Sequence, residues 1–297
     1  MVTLVFLIAS TAFAIDISLP ALPALATATG STIEMAQRTI GIFVLGYALG
    51  QIPVGLMGDR FGRRPVLIAG MFAFVAFGLA TSATENLQAL VILRFFQGFA
   101  AATGVVLARA VARDITEGAE TARLLTFLSS SMGFAMVAAP IMGTVFMAWW
   151  GWRGPFIGSA LWGGLGLALS LFVLSETRQG PPALSAGAAL KVGLWAFART
   201  KRAWFGAAFA GLSFCGIMSL VTLSPAVIMV EQGKSPAQFA AFFAVISMGF
   251  IAGSLVLRRF AHRFSVPQLM ARTGIGFAIC VLAAGCAAAV GQIGLAV

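Results

Sequence analysis

The sequence predicts an all-α membrane protein that crosses the bilayer many times, and three observations carry that reading. Sixty per cent of the 297 residues are hydrophobic and only 9% are charged, against the roughly 25% charge with which a soluble domain covers itself. The mean hydropathy is +0.99, and apolar runs of about 20 residues, enough to cross roughly 30 Å of hydrocarbon, recur along the chain with short polar breaks. The runs are continuously apolar, whereas a barrel strand would alternate in polarity over about ten residues. A water-soluble fold is excluded.

About nine spans are expected, over residues 2–25, 39–57, 65–83, 87–108, 124–148, 155–174, 203–224, 236–257 and 269–290. The first lacks a positively charged lead and a clear cleavage site, so it reads as a span and not as a signal peptide. The longest polar stretch holds Gly180, Pro181 and Pro182. It divides the chain into a six-helix bundle (1–175), a linker (176–202) and a partial second bundle of about three helices (203–297). Within the linker, residues 188–198 are expected to form a short helix along the membrane surface, with Leu190, Leu194 and Phe197 on one face. Arg60, Phe61 and Arg64 recur in spacing as Arg259, Phe260 and Arg263, each set following a span, as parallel duplication of two halves would produce. Six spans followed by three make the second half incomplete, so the chain reads as truncated, with residues 291–297 opening a further span.

The net charge of +10 is explained by where the cations lie. Fifteen of the 19 Lys and Arg residues fall in or beside connections on one side of the bilayer, only Arg38, Arg153 and Lys234 face the other side, and Arg94 lies within a span. This asymmetry places the N-terminus in the cytoplasm and the chain in the cell (inner) membrane as a multi-pass protein. Nucleic acid need not be invoked. Trp149, Trp150 and Trp152 at one boundary, and Trp195 and Trp204 beside the linker, read as interfacial anchors. Cys215, Cys280 and Cys286 sit inside spans without metal or redox spacing and read as small packing residues. His262 reads as a solvated residue of a basic connection. No cofactor or metal is implied, and no paired carboxylates, nucleophile elbow or phosphate loop suggests an enzyme.

Between the second and third spans lies Gly55-Leu-Met-Gly58-Asp59-Arg60-Phe61-Gly62-Arg63-Arg64-Pro65. Gly55 and Gly58 permit close helix approach, Gly62 permits a tight turn, and Asp59 sits one helical turn from Arg63. Asp114, ending the fourth span, is expected to share Arg63 or Arg64, giving a charge cluster of Asp59, Arg63 and Asp114 that latches the cytoplasmic side. The loop resembles the signature loop of the major facilitator superfamily, and Gly55, Asp59, Arg60, Gly62, Arg63 and Arg64 match its fixed positions. The resemblance implies a twelve-helix fold in two halves.

Asp16 with the Leu19-Pro20-Ala21-Leu22-Pro23 run, Arg94 with Gln97 and Gly98, Arg109 to Asp114, Trp152 with Arg153 and Phe156, and Glu176 with Thr177 resemble the drug/proton antiporters related to bicyclomycin and chloramphenicol exporters. That branch's fifth-span signature is only partly present: Pro140 and Gly143 stand at its places, with small Ala139 and Thr144 beside them to preserve packing and a kink.

Asp16 and Arg94 are the charges placed well inside spans, each at a cost of about 2.5 to 3.5 kcal/mol at a helix centre. A rise of 1.5 Å per residue puts them roughly 9 and 10 Å below the same membrane edge, so they are expected to face each other. The resemblance implies that their two helices line a central cavity. Asp16 is then the proton acceptor and cation-sensing carboxylate, and Arg94 tunes its proton exchange. A static ion pair, or an Asp16 merely solvated near the interface, is the alternative. Tyr47 and Gln51, one turn apart, are read as substrate contacts or as ordinary packing. The expected function is proton-coupled export of small hydrophobic compounds by alternating access, with substrate, protons and lipid as partners. Uptake of a metabolite by the same fold, or a non-transporting fragment, stands as the alternative.

Overall fold

The computed structural model describes residues 1–178, 180, 186–260, 268–269 and 271–276. The first apolar stretch is not one helix, as the 2–25 reading expected. It divides into α1 (Val2–Asp16), a 3-10 turn (Leu19–Ala21) and α2 (Leu22–Ala28). Pro20 and Pro23 have no backbone N–H to offer the carbonyls one turn earlier, and the Ser18 hydroxyl turns back to the Ile15 carbonyl at 2.7 Å.

Next come α3 (Ile33–Phe61), α4 (Arg63–Ala83) and α5 (Leu87–Ile115). Asn86 starts α5 by accepting from the backbone N–H groups of Gln88 and Ala89 at 2.9 and 3.1 Å, an N-cap that satisfies otherwise orphaned donors. α6 (Gly118–Trp150) runs unbroken through Pro140, and a 3-10 turn at Gly151–Arg153 leads into α7 (Gly154–Phe172). The linker carries α8 (Ala186–Arg199), a helix where one was expected over 188–198. α9 (Lys201–Pro225) ends in a π-helical turn, Ala226–Glu231, and α10 (Pro236–Phe260) follows.

Seven stretches among the described residues are long and apolar enough to span a membrane, one of them, Gly118–Phe172, holding both α6 and α7. The expected ninth span lies largely outside the described residues, and His262, Cys280, Cys286, residues 291–297 and Arg263 of the second Arg-Phe copy lie wholly outside them. Met1–Met248 forms one compact unit and Gly249–Val297 another; the described part of the latter includes the end of α10.

In the first unit α1 packs against α5, α6 and α7, while α3 lies along α5 and α4 lies against α5 and α7. The α3–α5 crossing is close because both sides lack side chains. A Cβ added to Gly98 would strike the Phe43 carbonyl, and one added to Gly46 the Phe95 carbonyl. Lipid supplies no hydrophobic drive between helices, so such close van der Waals contact is what holds them. Phe72, Leu212 and Val245 point outward, as an apolar solvent requires. α9 is buried only near its end, at Val221, Ser224 and Pro225, where Gln37 of α3 donates to the Thr222 carbonyl at 2.8 Å.

Candidate functional site

Two polar centres stand out in the first unit. The first is at the basic end, where α3, α5 and α7 finish and α4 begins. Gly62 joins α3 to α4 with φ of +103°, a conformation that costs glycine little. A Cβ there would also run into the Glu176 carboxylate. The Arg63 guanidinium binds two carboxylates: Nη1 donates to Asp59 Oδ1 at 2.5 Å and Nε to Asp114 Oδ2 at 3.0 Å. The expected cluster of Asp59, Arg63 and Asp114 is present, and an open pocket of about 290 Å³ lies against it, bordered by Gly55, Val106 and Arg113.

Arg64 does not share Asp114; it reaches the Leu171 carbonyl at 2.8 Å, because Arg63 already fills the space between the two carboxylates. Arg60 is exposed and lies over the Phe61 ring at 5.2 Å. Gly58 abuts Leu107, where a Cβ would not fit, but Gly55 has only ordinary clearance, 3.7 Å from Val106. Close approach is therefore a property of Gly58 and not of Gly55.

Three residues after α7 complete this centre, and the sequence reading gave them no site role. Glu176 accepts from the backbone N–H groups of Arg63 and Arg64, at 2.9 and 3.1 Å, and so caps α4. Thr177 donates to Asp114 Oδ2 at 3.2 Å. Arg178 donates to the Asp59 and Arg60 carbonyls at 3.0 and 2.6 Å, closing the end of α3. An anion meets a helix N-terminus and a cation meets a C-terminus, the arrangement that the helix dipoles favour. Partial burial pushes the Glu176 carboxyl up, but the N–H groups of Arg178, Arg63, Arg64 and Thr177 more than offset it and hold the group below its usual value. The signal was an acid followed two residues later by a base, directly after a span.

The second centre is inside the bundle. Arg94 is fully buried, yet it makes no ion pair with Asp16, contrary to the expected facing pair. Its Nη1 donates to Gln97 Oε1 at 2.8 Å and its Nη2 to the Ala14 carbonyl at 3.3 Å. Its guanidinium carbon lies 4.3 Å from the centre of the Phe43 ring and 5.6 Å from that of Phe156, while Nε has no acceptor among the described residues. Gln97 passes the connection on to Ser159 of α7 at 3.3 Å. The arginine is thus held by ring faces, an amide and a carbonyl, two residues short of Asp16.

Asp16 itself is 3% exposed, and among the described residues its carboxylate has no hydrogen bond or ion pair. Tyr47 is half-buried against the core, with Gln51 one turn beyond it and also half-buried. Pro140 and Gly143 are buried in α6. Gly143 lets α6 press on the Ile17 carbonyl at the end of α1, and Ala139 packs with Phe13 and Ile17. Among the described residues no group of His, Cys, Asp and Glu side chains is placed to hold a metal ion.

Long apolar helices packed through small residues, with charges gathered at one end and a polar centre within, define a multi-pass helical membrane fold. The chain belongs to the Major Facilitator Superfamily, whose model matches residues 4–297. It is 28% identical over 262 residues to a bicyclomycin resistance protein homolog of Haemophilus influenzae, across 87% of this chain and 65% of that protein. It is 28% identical over 285 residues to a chloramphenicol resistance protein of Pseudomonas aeruginosa, across 94% of this chain and 65% of that one. A crystal structure of a D-xylose-proton symporter shares the fold at 18% identity, with a TM-score of 0.63 over 89% of this chain and 69% of its own. The chain spans just under two thirds of the length of these curated relatives.

Proposed function

We propose that this chain forms the larger part of a proton-driven transporter working by alternating access, with its basic end in the cytoplasm. The observation that carries the proposal is Asp16, a carboxylate buried at the end of α1 without a partner among the described residues. Intramembrane carboxylates of this kind mark proton and ion pathways. An unpaired one exchanges its proton when water or a cation reaches it, and Arg94, anchored separately at Ala14, sets the local field. The Asp59–Arg63–Asp114 cluster acts as the cytoplasmic latch. The linker 176–202 joins the six-helix bundle to the partial second one.

Direction and cargo divide into two readings. Uptake of a polar metabolite with protons is supported by the polar run Arg94–Gln97–Ser159 inside the bundle and by the symporter that shares the fold. Export of small hydrophobic compounds is supported by the names of the two resistance relatives. The test measures ethidium efflux and, separately, accumulation of labelled sugars in energised cells expressing the chain, its Asp16→Asn variant or neither. Protonophore-sensitive accumulation abolished by Asp16→Asn supports uptake, and the same behaviour in efflux supports export. Transport indifferent to both the protonophore and Asp16→Asn sinks the proton-coupling proposal.

A further inference from the structure

Three cations at the basic end are engaged. Arg63, Arg64 and Arg178 all reach protein acceptors. The α8–α9 elbow is different. Lys191, Lys201 and Arg202 are exposed, and among the described residues their side chains contact no acceptor. Arg199, also exposed, lies only over the Trp195 ring, at 4.0 Å.

Local geometry fixes where these four cations sit. Thr200 alone separates α8 from α9, and its extended backbone (φ −101°, ψ 99°) turns the chain between them. The elbow is pinned: the Trp204 indole donates to the Ala198 carbonyl at 3.3 Å and the Thr200 hydroxyl to the Ala196 carbonyl at 2.8 Å. The Phe197 and Trp204 rings meet at 5.0 Å. α9 is an apolar stretch of spanning length, and its far end meets Gln37 at the start of α3, opposite Arg63. Its first residues, Lys201 and Arg202, therefore lie at the membrane boundary of the basic end, and α8 is held at that depth.

Lys191, Trp195 and Arg199 follow one another at four-residue intervals and so share a helix stripe. Trp195 is 58% exposed, with Val192 and Leu194 exposed beside it. A tryptophan between two cations suits the headgroup layer, where the indole spans the apolar boundary and the cations meet phosphate. We propose that the α8–α9 elbow is a binding surface for anionic phospholipid, with Lys191, Arg199, Lys201 and Arg202 holding phosphate headgroups and Trp195 anchoring among them. The charge complementarity and the enforced depth select a lipid surface over a soluble partner.

The test titrates the purified chain in detergent with phosphatidylglycerol or phosphatidylcholine and counts retained lipids by native mass spectrometry. The chain is expected to prefer phosphatidylglycerol by about tenfold or more, since each cation near an anionic surface is worth roughly fivefold. The combined Lys191→Gln, Arg199→Gln, Lys201→Gln and Arg202→Gln variant should lose that preference while eluting as the same species on gel filtration. A Lys191→Arg, Lys201→Arg variant should keep it. Equal retention of both lipids by the unaltered chain overturns the proposal, as does an undiminished preference in the fourfold variant. Displacement of the lipid by an equal concentration of inorganic phosphate also overturns it, marking a site for soluble anions.

Discussion

Arg63 and Arg94 solve the same problem in opposite ways. Arg63, at the rim of the bundle, is bound by two carboxylates and flanked by a third that caps its helix. Arg94, in the interior, has no carboxylate among the described residues and relies on Gln97, the Ala14 carbonyl and two phenylalanine faces. Water near the rim lowers the cost of charge, so an ion-pair network can form there and break again. In the interior a broken pair would strand a charge at a cost of several kcal/mol. Holding Arg94 by neutral groups leaves Asp16 without a partner among the described residues, as the proton-exchange role proposed for it requires.

The strongest test of this contrast is Arg94→Leu. It leaves the Gln97 and Ala14 acceptors unfilled and should destabilise the bundle by about 3 kcal/mol, read as a fall in the midpoint of heat-induced loss of monomeric protein. Arg94→Lys should recover less than half of that, because a point charge cannot reproduce the planar fork and its ring contacts. Full recovery by lysine would break the contrast.

At the rim, Asp114→Ala should cost about 1 to 2 kcal/mol and Asp59→Ala less than about 1 kcal/mol. Asp114 is the less exposed of the two, 21% against 53%, and also serves Thr177. Despite the smaller stability cost, Asp59→Ala should cripple transport while leaving membrane insertion intact. Equal stabilities for the two variants would remove the special role given to Asp114.

Glu176→Gln should cost about 0.5 kcal/mol, the low end for a helix cap because the group is exposed. The folded carboxyl titrates below its ordinary value of 4.5. Its contribution is therefore present above that value and lost as pH falls through the lower folded one. The Glu176→Gln variant should lose less stability than the unaltered chain on acidification below 4.5. Smallest of all is Glu85→Gln at the opposite end, which breaks an exposed pair with Arg153 at 2.5 Å. It should change stability by less than about 0.5 kcal/mol, and that change should vanish in high salt.

The spans were legible because continuous apolarity needs no knowledge of partners. The cluster of Asp59, Arg63 and Asp114 was legible because two members lie one turn apart and the third ends a span at the same level. The Arg94 environment was not. Depth arithmetic located Arg94 and Asp16 along their helices but carried no information on rotation, and rotation turns the guanidinium toward Phe43 of α3 and Phe156 of α7. Pro20 and Pro23 did announce the break after Asp16, since each removes a donor; continuous hydropathy concealed it. Gln37 meeting Thr222 depends on a fold-level neighbour 185 residues away, which local patterning cannot supply.

The way α1 is enclosed bears on how the protein is made. In the most apolar 18 residues of the first stretch 78% of positions are buried, against 22% in the stretch Lys201–Glu231, and the packing partners of α1 include α5, α6 and α7. Those helices emerge from the ribosome later, and the Ile17 carbonyl meets Gly143 only when α6 arrives. Until then a segment bearing Asp16 and two prolines must wait at the insertion machinery or in lipid without its native neighbours. Synthesis of the first unit is therefore expected to hold an early intermediate that is resolved only as α6 and α7 enter, and slowing translation through residues 118–172 should lengthen its exposure to membrane proteases.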